Sequence, residues 1–193
     1  MITSFKDLLF YLRSDAFRYI GKRTSFSILK LYCSKISYRY IVWMRVNAFL
    51  HGTKLKVLRL FLFWTHFRLR RISYKTGIQI PWNTQIGAGF YIGHFGTIVI
   101  NSSAQIGKNV NVSPGVNIGE SNRGSRKGVP RIGDVVYIGP GAKIVGAVNI
   151  GSNVAIGANA VVTHDVPNNS VVAGVPARVL SMDGAEGYIN RII

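Results

Sequence analysis

The sequence predicts a mainly β chain, a parallel β-helix preceded by an N-terminal α-helical region. Three observations carry this reading. Apolar residues recur every six positions across the second half of the chain. A second, smaller apolar residue follows four positions after the first, with glycine and asparagine between them. The first 76 residues lack that period and instead mix apolar residues with spaced Lys and Arg.

The repeat runs through Ile80, Ile86 and Ile92. It resumes after a two-residue offset at Ile100, Ile106, Val112 and Ile118. A polar break covers 119–131, and the period returns at Ile132, Ile138, Ile144, Ile150, Ile156 and Val162. Val110, Val116, Val136, Ala142, Val148, Val154 and Ala160 hold the second position. Gly and Asn suit turns because positive φ costs them little. Each hexapeptide then makes one short strand and one corner, and three close a triangular coil that stacks on the next at about 4.8 Å. A six-residue period is a signature of a β-helix. A helix needs a 3.6-residue period, which this stretch lacks.

Residues 6–20, 38–50 and 53–72 read as amphipathic basic helices, with Gly21 and Gly52 as breaks. The third includes Leu55, Val57, Leu58, Leu60, Phe61, Leu62 and Phe63 among Lys54, Lys56, Arg59, Arg68, Arg70 and Arg71. The division expected is a basic helical region over 1–76, a β-helix domain over 77–181 and a tail over 182–193.

The net charge of +17 is unevenly spread. Residues 1–80 carry sixteen Lys and Arg against Asp7 and Asp15, whereas 81–193 carry eight against five acids. Such an excess attracts polyanions. Basic helices with Trp43, Trp64 and many Phe suit an anionic membrane interface. They suit equally a cap that packs on the β-helix and turns its charges to water. No nucleic-acid-binding signature is present. Residues 1–10 contain Lys6 and Asp7 and do not resemble a secretory leader. No run reaches the roughly 18 apolar residues of a membrane span. The expected location is cytoplasmic, with peripheral contact to the inner face of the membrane as an option. Cys33 is the single cysteine, so no internal disulfide or multi-cysteine metal site is expected.

Residues 77–181 resemble the hexapeptide-repeat acyltransferases, which form left-handed β-helices. The resemblance rests on Ile92-Gly93-His94-Phe95-Gly96 and Ile138-Gly139-Pro140-Gly141-Ala142-Lys143-Ile144. Asp165-Val166-Pro167 and Ala173-Gly174-Val175-Pro176-Ala177-Arg178 complete it. It is greatest to the serine acetyltransferase-like branch that includes O-acetyltransferases of capsular and other surface polysaccharides. It implies a homotrimer, acetyl-CoA as acyl donor and His94 as general base; no metal site is visible in the sequence, and none is expected. A neutral imidazole near pH 7 can take the proton of an attacking hydroxyl. His164, beside Asp165, reads as surface, and His51 and His66 as structural or interfacial.

The resemblance lays the pantetheine arm of CoA along small residues of adjacent subunits. The matching positions are Gly139, Gly141, Ala142, Gly157 and Ala158, with Lys143 and Arg178 as candidates for the phosphate end. The interrupting loop 119–131 is a candidate cover for the groove; Glu120, Asn122 and Arg123, with Gln79 outside the loop, are candidates for substrate, and Arg123, Arg126 and Lys127 for a CoA phosphate or an acidic sugar. Two departures stand out. Serine acetyltransferases carry a histidine where Val129 stands here, and an aspartate that orients the base near the place of Gln79. An amide holds an imidazole by hydrogen bond but does not stabilise its charged form as a carboxylate does. These departures, together with a basic N-terminus suited to an anionic or lipid-held acceptor, lead to the expectation of a sugar hydroxyl, in a cell-surface polysaccharide or its lipid-linked precursor, as acceptor. Serine as acceptor is the alternative, and a non-catalytic scaffold docking to membrane is a third.

Overall fold

The computed structural model describes every residue except Met1, Arg23 and Leu55, and describes Lys56 by its backbone alone. The readings made above on Met1, on Leu55 and on the Lys56 side chain therefore lie outside the described residues. Among the described residues four α-helices come first: α1 (Phe5–Ile20), α2 (Ser25–Ser34), α3 (Ile36–Gly52) and α4 (Leu62–Thr76). Helix α1 starts at a capping box, in which the Ser4 hydroxyl accepts from the Asp7 N–H and the Asp7 carboxylate accepts from the Ser4 N–H, both at 3.1 Å. It stops at Gly21, whose φ of 66° no longer fits a helix. Helix α2 was not expected; Thr24 caps it by accepting from the Ser27 N–H. The stretch 53–72 is not one helix, since Lys56–Phe61 forms a 3-10 turn before α4.

Fifteen short strands follow among the described residues. Sheet A holds β1 (Ile78–Gln79), β4 (Ile98–Ile100), β7 (Asn117–Gly119), β10 (Lys143–Val145) and β13 (Val161–Val162). Sheet B holds β2 (Gln85–Ile86), β5 (Gln105–Ile106), β8 (Arg131–Ile132) and β11 (Asn149–Ile150). Sheet C holds β3 (Tyr91–Ile92), β6 (Asn111–Val112), β9 (Val136–Ile138), β12 (Val154–Ile156), β14 (Val171–Gly174) and the antiparallel β15 (Ala177–Ser181). All other strand pairings are parallel, and the strands visit A, B and C in turn, with a single bridge from Val166 to Ile150 in place of a sheet B strand in the last coil, so that each circuit closes one coil of a three-faced parallel β-helix, which is left-handed.

The six-residue period becomes register. Ile138 pairs with Ile156, and Ile132 with Ile150, each three hexapeptides apart. The repeat isoleucines point inward and are buried, as are Val110, Val116, Val136 and Ala142. A fully buried side chain of this kind contributes about 1.5–3 kcal/mol. The two-residue offset is a longer first coil, in which Ile78 pairs with Ile98. The corner between sheets B and C is left-handed backbone in every coil, at Gly89, Asn109, Val135, Asn153 and Asn169.

The first coil has no coil beneath it, so its strand edges need partners. The helices supply them. The Tyr40 hydroxyl donates to the Ile80 carbonyl at 2.9 Å and accepts from the Ile80 N–H at 2.8 Å. Tyr19 does the same for Ile92, at 2.8 and 3.1 Å. Arg45 donates to the carbonyls of Ile86 and Gly87, and Arg18 to that of Gly89. Asp15 accepts from the Phe90 N–H at 2.8 Å. The excess charge is therefore not all external, because Arg18 and Arg45 are buried in the cap.

Residues 182–193 run back along the outside of sheet C. Ala185 and Ile189 are buried against Ala155, with Val135, Tyr137 and Val171 around them. Asn111 donates to the Tyr188 carbonyl, and Arg191 reaches the Tyr19 carbonyl. The last residues thus join the final coils to α1.

Candidate active site

His94 stands between β3 and β4, at the corner where sheet C turns into sheet A. The corner is fixed from below: Tyr19 binds both backbone groups of Ile92, and its ring packs against Tyr91 at 4.5 Å between centroids. Burial pushes the Tyr19 hydroxyl well above the ordinary tyrosine range, so it stays a neutral donor and acceptor. Gly93 lies against the Tyr91 ring, where an added Cβ would come within 3.1 Å of Cε1. Gly96 adopts φ of 154°, and an added Cβ there would meet Pro114 at 3.0 Å. The chain thus passes His94 tightly, and the side chains of His94 and Phe95 are exposed.

By the register of β3 with β6, β9 and β12, His94 takes the place that Pro114, Pro140 and Ala158 hold in the coils above. The corner is a continuous column. The Gly141 N–H donates to the Pro114 carbonyl, and the Asn159 N–H to the Pro140 carbonyl, each at 2.8 Å. Gly139, Gly141, Ala142, Gly157 and Ala158 all lie on it, so His94 and the small-residue positions share one edge of the prism. Lys143 leans onto the same edge, where its ammonium donates to the Gly115 carbonyl. Arg178 lies on β15 opposite Ala173, and its guanidinium donates to the Ala177 carbonyl at 3.1 Å.

The column also has a structural reason. An added Cβ at Gly139 would lie 2.7 Å from the Ile156 carbonyl oxygen, and at Gly141 2.0 Å from Asn159 Oδ1. Stacking alone therefore demands these two glycines.

Gln79 lies on β1, outward on sheet A, in a file with Val99, Asn117, Lys143 and Val161. It lines a cleft of about 790 Å³ between α4 and the first coil, together with Tyr40, Ser73, Tyr74, Trp82 and Val99. Among the described residues no hydrogen bond joins Gln79 to His94.

The loop 119–131 leaves at the next corner, between sheets A and B. Ser121 and Gly128 exchange backbone hydrogen bonds at 2.9 and 3.0 Å and fold it into a small hairpin. The Arg126 carbonyl accepts from the Ala147 N–H, and Arg126 Nη1 pairs with Asp165 at 3.1 Å. Arg126 is thus engaged within the chain, while Glu120, Asn122, Arg123 and Lys127 are exposed. Val129, near the end of that loop, lines a hollow on the sheet B side of the corner with Gln105, Arg131 and Asn149. His164 is exposed and bonded to the Thr163 hydroxyl. His51 and His66 stack together beside Trp82.

The family model for bacterial transferase hexapeptide (six repeats) matches residues 130–164. A serine acetyltransferase of soybean, solved as the apoenzyme, is 30% identical with a TM-score of 0.69, covering 88% of this chain and 69% of that one. The chain belongs to the hexapeptide-repeat, left-handed β-helix acyltransferases. Within this family it is closely related to serine acetyltransferases. That of Staphylococcus xylosus is 42% identical over 109 residues, 56% of this chain and 50% of the relative. The chain spans about half the length of the curated relatives it matches. The structure of the Neisseria gonorrhoeae serine acetyltransferase in complex with serine is 28% identical with a TM-score of 0.72, covering 92% of this chain and 71% of that one.

These likenesses overturn the expectation of a sugar hydroxyl in a cell-surface polysaccharide as acceptor. That expectation rested on two absent side chains and on the basic excess. An absent side chain removes one contact without specifying another. Part of the basic excess is internal, spent by Arg18 and Arg45 on the first coil.

Proposed function

We propose that the chain transfers an acetyl group from acetyl-CoA to the hydroxyl of serine. The observation that carries this reading is the 42% identity to a serine acetyltransferase over 109 residues. Acetyl-CoA supplies the activated thioester. His94, exposed at its corner, takes the proton of the serine hydroxyl as that oxygen attacks the thioester carbonyl. A backbone N–H of the glycine-rich corner steadies the oxyanion. The same imidazolium returns the proton to the departing CoA sulfur, so His94 ends as it began.

Gly139, Gly141, Ala142, Gly157 and Ala158 form the edge along which the pantetheine arm lies, and Lys143 and Arg178 face its phosphates. Of the loop residues, Arg123 suits the serine carboxylate as a planar two-pronged donor, Glu120 suits its ammonium, and Asn122 offers an amide. Gln79 offers a neutral amide to substrate or to the imidazole. His94 and the loop lie on different corners of one chain, so a site that uses both draws them from two chains. A homotrimer supplies that arrangement, with the loop of one subunit at the His94 edge of the next.

The test is thiol release from acetyl-CoA by the purified chain, with and without serine, alongside His94→Ala. The expected result is serine-dependent release that falls by about 10²–10⁴-fold in the variant. Release that ignores serine, or acetyl-CoA binding with no turnover of serine, overturns the reading.

A further inference from the structure

Helix α4 packs by one face alone. Thr65, Leu69, Ile72 and Thr76 are buried, at helical spacing. The opposite face is equally ordered. Phe63, Phe67, Arg70 and Tyr74 follow one another at four, three and four residues, which aligns them on one stripe. Phe63 is 85% exposed, Phe67 54% and the neighbouring Trp64 52%. The 3-10 turn before α4 adds Leu60, 80% exposed, and Phe61. Val57 is also exposed. Exposed apolar side chains this numerous on one segment mark an interaction surface.

The charges around them have one sign. Lys54, Arg59, Arg70, Arg71 and Lys75 are exposed on the same segment. Arg68 stacks over Trp43 and Trp64 at 5.5 and 5.6 Å. Between Asp15 and Glu120 the sequence contains no Asp or Glu. A second copy meeting it with any surface built from residues 16–119, whether the same face or another, would therefore set cation against cation. Nucleic acid would meet the arginines, and a single strand would stack on Phe61 and Phe63, but neither contact covers the exposed aliphatic side chains of Val57 and Leu60. A lipid surface answers both features, because aromatic and aliphatic side chains enter the acyl boundary while Lys and Arg meet anionic headgroups. Among the described residues no helix is long and apolar enough to cross a membrane, so the contact lies in the plane of the interface.

We propose that the outer face of 57–75 docks this protein on a bilayer that carries anionic lipid headgroups. Two forces act together: the apolar stripe partitions and the basic rim is attracted. Either alone is weak.

The experiment uses the full chain with phosphatidylcholine vesicles, with and without phosphatidylglycerol, in a flotation assay. Variants are Phe63→Ser/Phe67→Ser and Arg59→Glu/Arg71→Glu, with far-UV circular dichroism to verify the fold. The expected result is capture by anionic vesicles, little by phosphatidylcholine alone, and a loss of at least about tenfold in either variant. A blue shift of tryptophan emission in the unmodified chain on anionic vesicles is expected as well, since Trp64 enters the interface. Three outcomes overturn the proposal. One is no capture by anionic vesicles. Another is binding that needs the arginines but not the phenylalanines and is matched by a DNA oligonucleotide. The third is a smaller assembly in Phe63→Ser/Phe67→Ser by sedimentation, without vesicle binding in the parent chain, which assigns the face to contact between copies.

Discussion

Asp15 and Arg45 form an ion pair of 3.0 Å inside the protein, with side chains 0% and 4% exposed. The pair is a joint between two kinds of structure. Asp15 belongs to α1 and accepts from the backbone of the first coil at Phe90. Arg45 belongs to α3 and donates to that coil at Ile86 and Gly87. Burial raises the Asp15 pKa, against the opposing pull of the Arg45 charge and the hydrogen bonds from Arg45 and Phe90. Removing one partner leaves the other charge buried and unpaired. Arg45→Met is expected to cost about 3–5 kcal/mol, because it also strips two carbonyls of their donors. Urea unfolding followed by circular dichroism measures it, and a loss under about 1 kcal/mol would contradict the account.

Much of the β-helix was legible because its period is short and covalently local. Ile132, Ile138, Ile144, Ile150 and Ile156 are spaced by the coil itself, and register follows from spacing. The polar break at 119–131 is a corner insertion, which also leaves a local mark. The cap was not legible in the same way. Nothing near Tyr40 in sequence says that its hydroxyl will serve Ile80, forty positions on. Arg18 and Arg45 look like surface cations until the open edge of the first coil is in place. The site divides likewise: the shared edge of His94 and Gly139–Ala142 follows from register, whereas the position of the loop one corner away depends on which sheet each strand joins.

Val135 adopts a φ of 58° at the sheet B to sheet C corner, where the other coils use Gly89, Asn109, Asn153 and Asn169. A β-branched side chain pays about 1–2 kcal/mol in left-handed backbone. Its contacts with Ala155, Ala185 and Ile189 are those of a half-buried group and offset part of that. Val135→Asn is therefore expected to stabilise by about 1 kcal/mol and to raise Tm by about 2–4 °C. A lower Tm would mean that packing beneath the C-terminal residues outweighs the backbone strain.

His51 and His66 approach at 3.2 Å between Nε2 atoms, and the His51 ring lies flat on Trp82 at 3.7 Å. Burial lowers the His51 pKa, helped by the charges of His66 and Arg59. The unfolded chain then binds a proton that the folded one resists. Stability contributed here is present above the ordinary histidine range near pH 6.5 and is lost as pH falls toward the depressed folded value. Unfolding across pH 5 to 8 is expected to show this slope, and His51→Gln to flatten it. An unchanged slope in the variant would assign the pH dependence to other groups.

Arg126 and Asp165 tie the loop to the last coils, and the bond has a second anchor. The Asn149 N–H donates to the same Asp165 oxygen at 2.9 Å, and that bond, ahead of the Arg126 charge, holds the Asp165 carboxyl below the usual carboxylate range. Both partners are substantially exposed, so the pair adds little to global stability. Its effect is local, because the loop carries Arg123, Arg126 and Lys127, three trypsin sites on a short hairpin. Asp165→Asn keeps the side-chain shape and removes the charge that Arg126 meets. Limited trypsin digestion is expected to cut within 119–131 several-fold faster in this variant, with the thermal midpoint nearly unchanged. If serine turnover falls in step with the faster cutting, the hairpin must be held in place for the reaction. Equal cutting rates in both proteins would mean that the Ser121–Gly128 bridge and the Arg126 carbonyl bond to Ala147 fix the loop without the ion pair.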